Sequence, residues 1–135
     1  MYYSIVLFNE TYYVSTTTTL DLRNKKLTAI PTEIGNLINL QELYLYYNQL
    51  SSLPAEIGNL INLQILYLAN NKLTSLPAEI CNLINLQKFC LSYNQLSLLP
   101  AEIGNLINLK TLWLNKQYIC DVNIKLPFGC ETVYF

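Results

Sequence analysis

The residues best placed to do chemistry in this chain are aromatic, and they recur at a fixed interval. Tyr44 and Tyr67 are 23 positions apart, and so are Cys90 and Trp113. Tyr46, Tyr47 and Tyr93 stand two or three positions beyond that column. Such rings suit binding, because they bury a large area and keep a polar handle. Nothing else is spaced for reaction. The chain has no histidine, no nucleophile elbow, no phosphate loop and no carboxylates facing one another across a pocket. Glu33, Glu56, Glu79 and Glu102 form a regular column, but one expected on an exposed outer side, a poor place for acid–base work. Cys81, Cys90, Cys120 and Cys130 lack the spacing of a zinc site. The expectation is a protein that is not an enzyme and uses no cofactor or metal.

What positions the rings is a repeat. Leu63 to Asn85 reads LQILYLANNKLTSLPAEICNLIN. Leu40 to Asn62 and Leu86 to Asn108 are nearly the same, 23 residues on either side. A fixed period of this size signals a solenoid, which buries its core along a line, repeat against repeat. Composition agrees: 52% of the 135 residues are apolar and 13% are charged, enough to bury a core in one domain. A net charge of −1 gives no overall pull toward nucleic acid or an anionic membrane. No apolar run is long enough to span a bilayer. The N-terminus lacks a basic n-region and a continuous h-region, so a cytoplasmic location without membrane contact is expected. Asn9-Glu10-Thr11 matches a glycosylation sequon, read here as chance.

Inside a repeat, Leu43 and Leu45, Leu66 and Leu68, and Phe89 and Leu91 are two apart, as on a strand with both members inward. Stacked repeats then make a parallel sheet, one strand each. Asn48, Asn71 and Asn94 follow, between inward leucines where the chain turns. An amide there both donates and accepts, so these three are structural residues that satisfy buried backbone groups. Pro54, Pro77 and Pro100 suit the first position of a helical turn. Ile57 and Leu60, three apart, share an inward face. Gly35, Gly58 and Gly104 share a column with Cys81. The cysteine argues that small size, not a positive φ, is what the position needs.

The ends differ. Residues 1–16 are rich in Tyr, Val, Ile and Thr, with runs Tyr2–Phe8 and Tyr12–Thr18 around Asn9-Glu10. They predict a β-hairpin that caps the first repeat. Residues 17–122 hold five repeats, with Lys25 and Gln117 in place of the ladder asparagine in the first and last. Residues 123–135 read as a C-terminal cap. Two atypical ends suggest a complete protein. Cys81 and Cys90 fall on opposite sides of the repeat, so they are not expected to bridge. Cys120 and Cys130 could pair in an oxidising compartment.

The pattern L-x-x-L-x-L-x-x-N-x-L followed by L-P-x-x-I-x-x-L-x-N-L resembles the leucine-rich repeat. It is similar to the 23-residue intracellular type of Ras-suppressor-like and plant Ras-group proteins. The resemblance covers roughly residues 17–122. It implies an α/β leucine-rich repeat solenoid, curved, with the parallel sheet on the concave face and short helical or 3-10 turns on the convex one. It also implies binding through the concave face, without specifying one activity.

The positions that fail to repeat then become informative. Tyr44, Tyr46, Tyr47, Tyr67, Tyr93 and Trp113 are expected on the concave face, with Glu42 and Lys88 beside them. Strands lie ~4.8 Å apart, so the rings would form a nearly continuous patch. The plain alternative is that cross-strand rings only stabilise the sheet. Cys90 reads as a small filler in that row. Most basic residues, including Arg23, Lys72, Lys88 and Lys110, lie on the strand side, opposite the glutamate column. Ile38, Ile61, Ile84 and Ile107 form another column, read as half-buried between turns. The reading is a protein-interaction module for a protein or peptide, monomeric or weakly homo-oligomeric. The alternatives are single-stranded nucleic acid stacked on the rings, which the charge balance disfavours, and self-assembly through the isoleucines or a sheet edge.

Overall fold

The computed structural model describes residues 3–115 and 125–135. Strands β1 (Ser4–Leu7) and β2 (Glu10–Tyr13) pair antiparallel. Six further strands form one parallel sheet in chain order: β3 (Thr19–Asp21), β4 (Glu42–Tyr44), β5 (Ile65–Tyr67), β6 (Lys88–Cys90), β7 (Thr111–Leu114) and β8 (Glu131–Tyr134). Register follows the sequence period, Glu42 opposite Ile65 and Ile65 opposite Lys88. Each of the four connections from β3 to β7 contains a five-residue 3-10 turn, at Thr32–Asn36, Ala55–Asn59, Ala78–Asn82 and Ala101–Asn105.

The core lies between sheet and turns. Leu43, Leu45, Ile57, Leu60, Leu66 and Leu68 are fully buried, and Phe89 fills the same place in the fourth repeat. Each such side chain stabilises the fold by about 1.5–3 kcal/mol relative to exposure. Pro31, Pro54, Pro77 and Pro100 sit just before the turns as their N-caps, not at their first position. The proline carbonyl accepts the first turn bond, as from Ile57 N–H to Pro54 at 3.1 Å. A proline needs only its carbonyl for that contact.

The asparagine ladder is buried and saturated. Asn71 Oδ1 accepts from Leu50 N–H at 3.0 Å, and its Nδ2 donates to the Leu45 and Leu68 carbonyls at 2.9 and 3.0 Å. Asn48 and Asn94 repeat the arrangement one period away. Lys25, where the ladder lacks its asparagine, donates its backbone N–H to Asn48 Oδ1. Gln117 lies outside the described residues.

The glycine column shows close approach. A Cβ on Gly58 would lie 2.5 Å from the Glu79 carbonyl oxygen, and one on Gly35 2.7 Å from that of Glu56. Neither has a positive φ. Cys81 brings a Cβ to the same column, and its turn packs less closely on the next than the earlier turns do on one another. Small size is thus a demand of turn-to-turn spacing, relaxed at one junction.

At the N-terminal end, Phe8 and Asn9 form the hairpin loop, both with positive φ, one residue earlier than Asn9-Glu10. Positive φ at both central residues is the two-residue turn that matches strand twist. Leu7 and Ile5 close the core, and Asn39 Nδ2 donates to the Val14 carbonyl at 3.2 Å, tying the hairpin to the first repeat. At the C-terminal end, Pro127 to Cys130 turn through Gly129 at φ 79°, and Cys130 N–H donates to the Pro127 carbonyl. The chain then adds β8 to the sheet, so the segment read as a cap contributes a sixth strand.

Candidate partner-binding face

Alternation along each strand places the residues between inward leucines on the concave side. One row runs Thr19, Glu42, Ile65, Lys88, Thr111, Glu131, and the next runs Asp21, Tyr44, Tyr67, Cys90, Trp113, Val133. Five of the six sequence-selected aromatics meet edge to face. Ring centroids are 5.5 Å apart for Tyr44 and Tyr67, 6.4 Å for Tyr44 and Tyr46, 5.6 Å for Tyr46 and Tyr47, and 5.9 Å for Tyr67 and Trp113. The last pair skips a strand. Strand spacing alone would set these rings ~9.6 Å apart, but the short Cys90 between them lets them lean together. Edge-to-face pairs contribute about 0.5–1.5 kcal/mol each beyond burial.

Tyr93 does not join this group. Its ring packs on Phe135, 5.8 Å between centroids, at the C-terminal end of the face. Tyr47 and Tyr93 both have positive φ, 57° and 56°, in the column where Asn24 and Asn70 adopt the same conformation. Asn tolerates that backbone and a bulky residue does not. These two tyrosines are therefore held in a conformation their side chains disfavour. Both are exposed, 55% for Tyr47 and 54% for Tyr93.

The polar groups are sorted along the face. Tyr44 hydroxyl donates to Glu42 Oε2 at 2.9 Å. Partial burial, then this hydrogen bond, push the Tyr44 phenol up to about 12. Burial also raises Tyr67. Arg23 Nε pairs with Asp21 Oδ2 at 2.9 Å, and its Nη1 donates to the Tyr46 hydroxyl at 2.6 Å. The bond to Tyr46 is the main reason the guanidinium is held above its ordinary pKa. Glu42 and Lys88 share a row two strands apart, and neither forms an ion pair among the described residues. Cys90 Sγ lies 3.2 Å from Ser92 Oγ. Cys81 is buried on the convex side, with its thiol pushed up to about 11 by burial first and by Glu102 second. Cys130 is half-buried, and Cys120 lies outside the described residues. No group of three or more metal-ligating side chains occurs among the described residues.

A family model described as "Leucine-rich repeat region" matches residues 19–125. The chain belongs to the leucine-rich repeat family. Solved structures agree. A leucine-rich repeat protein of Leptospira interrogans is 41% identical, with a TM-score of 0.78 over 86% of this chain and 31% of that one. An internalin from Listeria monocytogenes is 26% identical, with a TM-score of 0.67 over 87% and 33%. A plant peptide hormone receptor, RGFR1, in complex with RGF2, is 45% identical, with a TM-score of 0.67 over 73% and 16%. The chain thus spans a third or less of each of these structures. No curated protein matches it.

This leucine-rich repeat chain also holds features that sequence reasoning missed. Asn62, Asn85 and Asn108 donate Nδ2 to the carbonyls of Ile38, Ile61 and Ile84, each at 2.7 Å, forming a second ladder. With Gln41, Gln64 and Gln87 they line a polar groove of about 330 Å³ beside the strands. The signal was present: an asparagine closing every LIN triplet. Ile38, Ile61 and Ile84 stand about half-exposed behind it, 48–52%, and Ile107 more so at 69%. Val133 and Phe135 extend the concave face by a strand, which only the pairing of β8 reveals. No helix among the described residues is long and apolar enough to cross a membrane.

Proposed function

We propose that the concave aromatic face captures a protein or peptide, and that the chain acts by binding, without catalysis. The single observation that carries this is the contiguous edge-to-face group of Tyr44, Tyr46, Tyr47, Tyr67 and Trp113 on the open side of the sheet. The scaffold does not require it, since other repeats carry Asp21, Cys90, Ala69 and Ser92 in the same columns. Tyr47 and Tyr93 add weight. A disfavoured backbone that keeps two tyrosines exposed fits selection for their contacts rather than for stability. The plant receptor solved in complex with RGF2 offers a precedent within the same fold. A cytoplasmic setting belongs to the same reading and fits Cys81 and Cys90 as free thiols.

The test is capture from the source cell by the wild type and by a Tyr67→Ala/Trp113→Ala double variant. Capture should be lost in the variant, while circular dichroism is kept and melting falls by only a few degrees. Retained capture overturns the concave-face reading. An Ile61→Lys change on the convex side should leave capture intact.

A further inference from the structure

The concave face contains one worked example of how it holds a cation. Arg23 is fixed by the Asp21 carboxylate and the Tyr46 hydroxyl, with its guanidinium carbon 5.7 Å from the Tyr46 ring centroid. A carboxylate and the hydroxyl and ring of one tyrosine thus converge on one guanidinium. One strand further along, a carboxylate and tyrosine rings stand together again, with Glu42 in the row of Thr19 rather than that of Asp21. Glu42 Oε2 accepts from Tyr44, and the Tyr44 and Tyr67 rings lie 5.5 Å apart at 73° to each other. Near-perpendicular rings present a π face from one side and a hydroxyl or edge from the other. Beside a carboxylate, that arrangement favours a cation over a neutral group. Glu42 has no cationic partner among the described residues, whereas Asp21 has Arg23. Lys88, the nearest base in its own row, is two strands away.

We propose that Glu42, Tyr44 and Tyr67 form a site for a cationic side chain of the partner, a guanidinium above all. This deepens the proposed function and rests on it. The carboxylate fixes the charge, the guanidinium lies against the open side of the edge-to-face ring pair, and Trp113 beyond Tyr67 takes the neighbouring apolar part of the partner chain. Lys88, two strands along the row from Glu42, repels a second cation, so a partner would be read with its basic residue over β4 and β5 and a neutral or acidic one over β6.

The probes are two short acetylated, amidated peptides, Gly-Ala-Arg-Ala-Gly and the same sequence with citrulline for arginine. Citrulline keeps the shape and removes the charge. Binding is followed by amide NMR shifts and by fluorescence of Trp113, the only tryptophan in the chain. The arginine peptide should shift the β4 and β5 signals saturably and bind at least about fivefold more tightly than the citrulline peptide. Glu42→Gln, which keeps the acceptor for Tyr44, should reduce arginine binding to the citrulline level with melting unchanged. Higher salt should weaken only the arginine peptide. Equal binding of both peptides, no binding of either, or full binding by Glu42→Gln overturns the site. The broader reading is judged separately by partner capture. If Glu42→Gln still captures the partner and Tyr67→Ala/Trp113→Ala does not, the face stands and the cation site falls. If the double variant captures too, both fall.

Discussion

The 23-residue spacing builds two kinds of column, and they differ in what fills them. In the interior and on the convex side each column keeps one chemistry: leucine, asparagine, proline before the turn, glycine or cysteine within it. On the concave side one row passes from Asp21 through two tyrosines and a cysteine to Trp113. The interior columns repeat because each residue answers the same demand in every turn, a backbone group to satisfy or a gap to fill. The concave rows face water and nothing in the scaffold constrains them. Variation there is free to encode a partner, and the cost of an unusual choice is visible at Tyr47 and Tyr93.

The contrast can be broken from the interior side first. Asn71→Ala removes both the acceptor for Leu50 N–H and the donor for two carbonyls, leaving buried groups unpaired. Unfolding in urea should show a loss of about 2–3 kcal/mol, with binding unchanged wherever the protein is folded. Gly58→Ala forces a Cβ against the Glu79 carbonyl, and the clash is with backbone that cannot rotate away. A loss of about 1–2 kcal/mol is expected, again by urea unfolding. If either change leaves stability untouched, the interior columns do not constrain the fold.

The concave side predicts smaller effects on stability. Tyr44 is held at about 12 in the folded chain against an ordinary phenol value of 10.0, so its neutral form is favoured by folding. That contribution is complete below pH 10 and is lost as pH rises from about 10 to about 12. Tyr12, pushed up to about 12 by burial and then Glu10, acts in the same direction and window. Thermal melts across that range should fall less steeply in Tyr44→Phe than in the wild type. Finally, Tyr47→Asn places in the left-handed column the residue that Asn24 and Asn70 already supply. It should raise stability by about 0.5–1 kcal/mol while weakening partner capture. A substitution that stabilises and weakens together would show most directly that the concave rows serve something other than the fold.

Legibility followed the same division. Period, strand positions, the buried ladder of Asn48, Asn71 and Asn94, and the concave placement of Tyr44, Tyr67 and Trp113 could all be read from letters 23 apart, because a repeat reports its own register. The second ladder through Asn62, Asn85 and Asn108 has the same spacing, but its asparagines follow exposed isoleucines, so nothing in the letters marks a backbone group there as needing a partner. β8 was hidden for another reason. It lies outside the period, and its pairing depends on a turn at Gly129 that carries the chain back beside β7.

By itself, then, the sequence determined the scaffold: a parallel sheet, one strand per repeat, backed by short turns and sealed by amides. Local spacing suffices for that, since each repeat needs only the next to bury its leucines. The tertiary structure decided which rings touch. Tyr67 reaches Trp113 because Cys90 between them is short, Tyr93 turns to Phe135 because β8 ends beside it, and Arg23 reaches across to Tyr46 while Glu42 keeps its carboxylate free of any cation among the described residues. Those outcomes rest on side-chain lengths and on packing between neighbouring strands, which no single repeat contains.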